Sequence, residues 1–249
     1  MRLRTKKTGF SLTELIVTMS VVVVLAGIGL PAVKQVINAF ESASRVQDAV
    51  SAAMANARAR ALAQGIYTGI RFQRTARGDQ YMVFIEQDDT GSAPADGFRP
   101  VIGKNPIRLP RRGMIMDMNL RTATGDPADS SYVPIDSDGL INMPEKVTDA
   151  STFCVIFSPA GKLVMHDVRI WEGAGDVFNI DTEVDAGNAL MYVDDYPGLG
   201  LGEEVSRNHF VIVEKEKFNA AGQSERWSRY LQYLKPVYIN PYTGELISN

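Results

Sequence analysis

Lys6-Lys7-Thr8-Gly9-Phe10-Ser11-Leu12-Thr13-Glu14-Leu15 is the stretch on which the reading of this chain turns. Four cations, Arg2, Arg4, Lys6 and Lys7, lie at or before its start, and from Leu15 to Val33 no charged residue occurs, with Thr18 and Ser20 as the polar interruptions. A helix over that run is about long enough to cross a bilayer, and the cations ahead of it predict an N-terminus held in the cytoplasm. Glu14 then falls where charge is expensive, at roughly 2.5 to 3.5 kcal/mol on insertion scales, so a partner for its carboxylate is expected. An ordinary secretory signal is cut after its apolar region; the Gly9/Phe10 junction comes before it. No cysteine follows the run closely, as a lipoprotein signal would require, because the single cysteine is Cys154.

The Gly9-Phe10 junction, Glu14 and the apolar run behind them resemble the class III signal of type IV prepilins and of the pseudopilins of type II secretion systems. The resemblance implies that a prepilin peptidase cuts after Gly9 and N-methylates Phe10. It implies that Glu14 pairs with the terminal amine of a neighbouring subunit as subunits stack into a filament. The partners implied are the peptidase, other pilin or pseudopilin subunits and an inner-membrane assembly platform, and no cofactor is implied. Three regions are expected: a cytoplasmic leader over 1–9, a transmembrane or filament-core helix over 10–33, and, over 34–249, an amphipathic helix continuing into a β-rich periplasmic or extracellular head. The localisation that goes with this is single-pass in the inner membrane, head outward, and then in the filament. An alternative is a membrane-anchored receptor or adhesin that uses the helix only as a tether.

Beyond Val33 the pattern turns amphipathic. Val33, Ile37, Phe40, Val46, Val50, Met54, Ala57 and Ala61 recur mostly at steps of three or four, or sums of these, which places them on one helical face up to Gln64. Alanines at 49, 52, 53, 55, 57, 59 and 61 favour helix and allow close approach, while Gly27, Gly29 and Pro31 predict a weak point or kink. Gly65 is the expected stop. After it the period becomes two: Ile70 and Phe72 alternate with Arg71 and Gln73, a turn centres on Gly78, and Tyr81 to Ile85 returns. A second hairpin is expected over Phe153–Phe157 and Leu163–Trp171, a strand over His209–Glu214, a short helix over Arg226–Leu234, and strands over Val237–Ile239 and Glu245–Ile247 around the turn 240–244. Helix first and strands afterwards predict an α+β fold, a long N-terminal helix, membrane-spanning in its first half, packed on an antiparallel sheet or sandwich. The helix end Ala59 to Gly65, the hairpin, and Phe157-Ser158-Pro159-Ala160-Gly161-Lys162 before closing strands resemble the H-type minor pseudopilins and their pilus counterparts. The chain departs from them in two long stretches, 86–152 and 172–208, which read as loops.

The 249 residues leave room for one globular head, and the formal charge of −3, more negative once the leader is removed, does not attract phosphate backbones, so no nucleic acid is expected. Arg108, Arg111 and Arg112 could make a local basic patch. Cys154 is expected to pack as a small hydrophobe. His166 and His209 are placed in strands without zinc-ligand spacing, and no nucleophile elbow or phosphate loop is found, so no enzyme is expected and no catalytic residue is assigned. The acids at 181, 183 and 185, and at 194, 195, 203 and 204, were candidates for calcium but lack the EF-hand pattern, and no metal site is assigned.

Overall fold

The computed structural model describes residues 12–75, 78–89, 97–123, 130–170 and 204–248, with the side chains of Glu14, 23–43, 121–123, 130–131 and Ser248 outside the description. The chain forms two units, Met1–Glu41 and Ser42–Asn249. Helix α1, Leu12–Gln64, begins in the first and ends in the second. In the first unit the Thr18 and Ser20 hydroxyls donate back to the carbonyls of Leu15 (3.0 Å) and Ile16 (2.8 Å), and Leu12, Leu15, Ile16, Val17, Met19, Val21 and Val22 are exposed.

In the second unit the stripe Val46, Val50, Ala53, Met54, Ala57 and Ala61 is buried, as its helical spacing requires. The expected residues Val33, Ile37 and Phe40 lie outside the described side chains. The helix stops at Gly65, whose φ of +70° suits a residue without a Cβ, and its amide donates to Ala61 O at 2.9 Å.

Two sheets share this stripe. The first is a curled eight-stranded sheet. Its members are β1 (Thr68–Arg74), β2 (Gln80–Gln87), β3 (Gly97–Pro100), β4 (Ile107–Arg108), β8 (Phe153–Phe157), β9 (Leu163–Val164), β10 (Asp167–Ile170) and β11 (Glu204–Val205). Their order is β11-β10-β3-β2-β1-β8-β9, with β4 paired to β2 beside β3. The second sheet is β14-β13-β12-β5, made by Leu246–Ser248, Val237–Ile239, His209–Glu214 and Gly113–Met116. A hairpin of β6 (Asn119–Ala123) and β7 (Ser130–Pro134) stands apart.

Period-two alternation divides these strands among three cores. Ile70, Phe72, Met82, Phe84, Val155 and Phe157 from the first sheet and Ile115, Phe210, Val237 and Ile239 from the second meet the helix stripe. The opposite face of the first sheet gives Val83, Ile85, Cys154 and Ile156, covered by Phe98, Val168 and Ile170. The opposite face of the second gives Met114, Met116, Val211 and Val213, covered by Val147 and Ala150 of α2 (Pro144–Ala150) and by Phe218 and Leu231. Strands buried on both faces read as unbroken apolar runs, which is why 81–85 and 153–157 look alike in the sequence.

The expected fold is corrected on two counts. Among the described residues no helix is long and apolar enough to cross a membrane. The part of α1 packed on the head is short, from Val46 to Ala61. The head is also no antiparallel sheet or simple sandwich but mixed α+β, since β10 leaves the expected second hairpin after Val164 and pairs with β3 in parallel, Arg169 with Gly97 and Ile170 with Phe98. The stretch 86–152 causes this. Where described, it supplies β3 to β7 and α2, which help to cover the second faces of the two sheets.

At Gly113 the helix packs tightly on the second sheet: a Cβ there would stand 2.2 Å from Val46 Cγ2. Gly113→Ala is expected to cost about 1–3 kcal/mol through overpacking. Combined with Val46→Ala, which opens that space, it is expected to cost less than the two single changes added together. Urea unfolding of the full chain and its three variants checks this.

Candidate functional site

Gly9 and Phe10 lie outside the described residues, and Glu14 lies in the first turn of α1 with its side chain outside the description. Where polar chemistry gathers within the described head, the elements responsible are β1, β8, β11 and the segment running from β11 to β12. Arg71 sits on β1 between Ile70 and Phe72, so strand alternation turns it away from the helix and onto the second face of the sheet, where its side chain is fully buried. It pairs there with Glu204 of β11, itself 4 % exposed. The thiol of Cys154, opposite Arg71 in the β1–β8 register, donates to Glu204 Oε1 at 3.1 Å and accepts from Arg71 Nη1 at 3.5 Å. Burial, followed by the Glu204 charge, pushes the Cys154 thiol well above its ordinary pKa.

Three residues on, Arg207 pairs through Nε with Asp117 and lies over the Tyr132 ring, its guanidinium carbon 4.0 Å from the centroid. Its Nη1 donates to Val205 O at 2.8 Å, and its amide donates to Cys154 O at 2.7 Å. Burial pulls the Arg207 guanidinium down, while the charge and hydrogen bond of Asp117 raise it, with a net shift upward. Asp117 Oδ1 also accepts from Asn119 N (3.2 Å) and Nδ2 (2.9 Å), and the Tyr132 hydroxyl accepts from Val205 N at 3.0 Å. The cavity beside Asp117, Tyr132, Glu204 and Arg207 measures about 10 Å³. That is no more than one water occupies, and among the described residues these charges hold one another. Together they fasten the return segment 204–208 to the sheet, with Ser206 N donating to His166 O (2.9 Å) and Ile239 N to Asn208 O (2.9 Å).

Several sequence expectations change here. Cys154 is buried, but among ionic partners and not as a plain hydrophobe. Glu204, taken for a loop acid, is a core residue, and the acids at 181, 183, 185, 194, 195 and 203 lie outside the described residues. Among the described residues no group of three or more His, Cys, Asp or Glu could hold a metal ion. His166 falls between β9 and β10, its ring beside Tyr67 (centroids 4.5 Å apart) and Phe98 (5.5 Å), whereas His209 opens β12 stacked on Tyr238 at 5.4 Å. Arg108 and Arg112 pair with different acids, Asp79 and Glu216, so the three arginines do not form one patch. The ionic role of Arg71 could have been found in the sequence: an arginine between Ile70 and Phe72 in a strand flanked on both sides by apolar strands must be either paired or exposed.

No protein-family model matches this chain, no curated protein matches its sequence, and no solved structure matches its fold.

Removing one member of a buried ion pair strands the other's charge at a cost of about 3–5 kcal/mol. Glu204→Leu is expected to destabilise the head by about that amount, and Arg71→Met together with Glu204→Leu by much less than the two single changes added, read by chemical denaturation. The thiol gives a pH signature of its own. Its folded pKa lies above the unfolded value of about 8.5, so the stability it contributes is complete below that pH and falls as pH rises above it, where only the unfolded chain releases the proton. Cys154→Ala is expected to flatten that alkaline fall in the pH dependence of the urea midpoint.

Proposed function

We propose that this chain is a prepilin-like subunit, cleaved at Gly9/Phe10 and N-methylated on Phe10 by a prepilin peptidase, which joins a type IV pilus or type II secretion pseudopilus through its N-terminal helix as a minor component. The observation that carries the reading is the order of residues at the N-terminus: cations, Gly9-Phe10, Glu14, and then a charge-free apolar run. A helix that bears a carboxylate near its start and apolar side chains on most other positions has no stable place alone in water, and a bundle of identical helices supplies partners for both.

Two structural features support this reading. The described apolar side chains of the first unit, Leu12 to Val22, are half or more exposed, which is the surface a filament core would bury. Within the second unit the described core takes up α1 from Val46 to Ala61. The finer localisation belongs to the same proposal. The N-terminal cations and the charge-free run of the sequence support a precursor held at the inner membrane with its N-terminus on the cytoplasmic side.

Glu14 has a defined task in this account, which is to neutralise the amine of Phe10 on an adjoining subunit. Glu14→Ala is expected to leave cleavage after Gly9 intact while abolishing recovery of the protein in sheared filament fractions, followed by immunoblotting of cells and filaments. Wild-type amounts of the variant in filaments would refute the pairing role.

A further inference from the structure

Arg74 at the end of β1, Gly78 and Asp79 before β2, the approach to β5 and the segments after β12 and around 226 line a cavity of about 440 Å³. Its lining is strongly one-signed. Arg74, Arg108, Arg111, Lys215 and Arg226 all reach it, and Asp79, paired with Arg108, is the acid among its lining residues. The protein as a whole is net negative, at −3, so this concentration of cations runs against its average surface.

The cations are also incompletely served by the protein. Lys215 Nζ donates to Gly78 O at 2.8 Å and Arg226 Nη1 to Ile141 O at 3.0 Å, both neutral acceptors. Arg226 lies over the Phe218 ring at 4.6 Å. The Nε atoms of Arg74 and Arg226 are buried with no hydrogen-bond partner among the described residues. Burial and then the Arg226 charge lower the Arg74 pKa. Burial lowers that of Lys215, and Arg74 and Arg108 lower it further against the raising effect of Asp79. Arg74, Lys215 and Arg226 are half-buried, so these like charges repel one another and lose part of their solvation. Folding at this place is therefore opposed by a term that a bound anion would remove.

We propose that this cavity binds a small ligand carrying at least two negative charges on phosphate or carboxylate groups. The volume falls within the range of small-molecule sites. Arginine forks suit planar or tetrahedral oxyanions, and the convergence of five cations on one concavity, not along a stripe, selects a compact anion over an extended one. Phe218, Met114 and Val147 form the buried floor of the cavity, with Arg226 lying over the Phe218 ring, so the cations and not an apolar wall face an entering ligand. The site is independent of the filament assignment, since every residue in it belongs to the head.

The test is calorimetric titration of the full-length chain with sodium pyrophosphate and, separately, with citrate at low ionic strength. The proposal expects saturable one-to-one binding of at least one of them. That binding should weaken by about tenfold or more in Lys215→Gln and in Arg111→Gln, and stay unchanged in Arg112→Gln, whose side chain pairs with Glu216 and does not line the cavity. Arg111 is exposed, so its replacement tests the site even if Lys215→Gln does not fold. Pyrophosphate selected over citrate identifies a phosphate ligand, and the reverse a carboxylate ligand; either supports the proposal. Absence of saturable binding for both, or affinity lowered equally by Arg112→Gln, overturns it.

Discussion

The packing of one helical stripe between two sheets is the constraint on which the rest of the head depends. Val46, Val50, Met54, Ala57 and Ala61 are fully buried, and they touch apolar side chains of both sheets. Each buried valine or methionine of that stripe contributes roughly 1.5–3 kcal/mol relative to exposure. Alanines at 53, 57 and 61 and Gly113 on β5 let the backbones approach, while the Thr68 hydroxyl donates to Ala57 O at 2.7 Å and fixes the helix along the start of β1. Gln80 joins the two sheets to each other. Its buried amide donates to Ile115 O (2.9 Å) and Ser151 O (2.7 Å) and accepts from Ile115 N (2.9 Å), so this one side chain of β2 ties β5 and the segment after α2 together.

Covering the second face of the first sheet has a further consequence. A strand with only one buried face could have left Arg71 in water; here β3, β10 and β11 close over it, and Glu204 becomes obligatory. Buried pairs of this kind seldom add much stability compared with apolar residues of the same size, but they penalise other arrangements because either charge alone is costly. The Arg71–Glu204 and Arg207–Asp117 pairs thus help to set the register of the return segment into β12.

Much of the head was legible in the sequence where local periodicity and tertiary demand agree. The helical steps from Val46 to Ala61, the stop at Gly65, the turn at Gly78 (φ +83°) and the strand His209–Glu214 all follow from residue type and spacing. The misses share one cause, which is that covering partners come from distant sequence. Nothing near Asp167 says that β10 pairs in parallel with β3 some seventy residues earlier. Nothing near Glu204 announces a partner at position 71, and Arg226–Arg229 makes one short turn of helix followed by a 3₁₀ turn at Leu231–Tyr233, since Trp227 and Leu231 are drawn into the second-sheet core. The cationic cavity was illegible for the same reason. Of its five cations the sequence grouped Arg108 and Arg111, while Arg74, Lys215 and Arg226 arrive from three other segments.

The proposed function rests on the N-terminal residue order, and under that proposal the head is what this segment would carry into an assembly. Its central claim concerns the chemistry at one peptide bond. Intact-mass and N-terminal analysis of the protein taken from its native host, with and without the prepilin peptidase, addresses that bond directly. The account predicts a mature chain beginning at N-methylated Phe10 when the peptidase is present and at Met1 when it is absent. A chain that still carries residues 1–9 in both strains would contradict it and leave the N-terminal segment as a tether for the head.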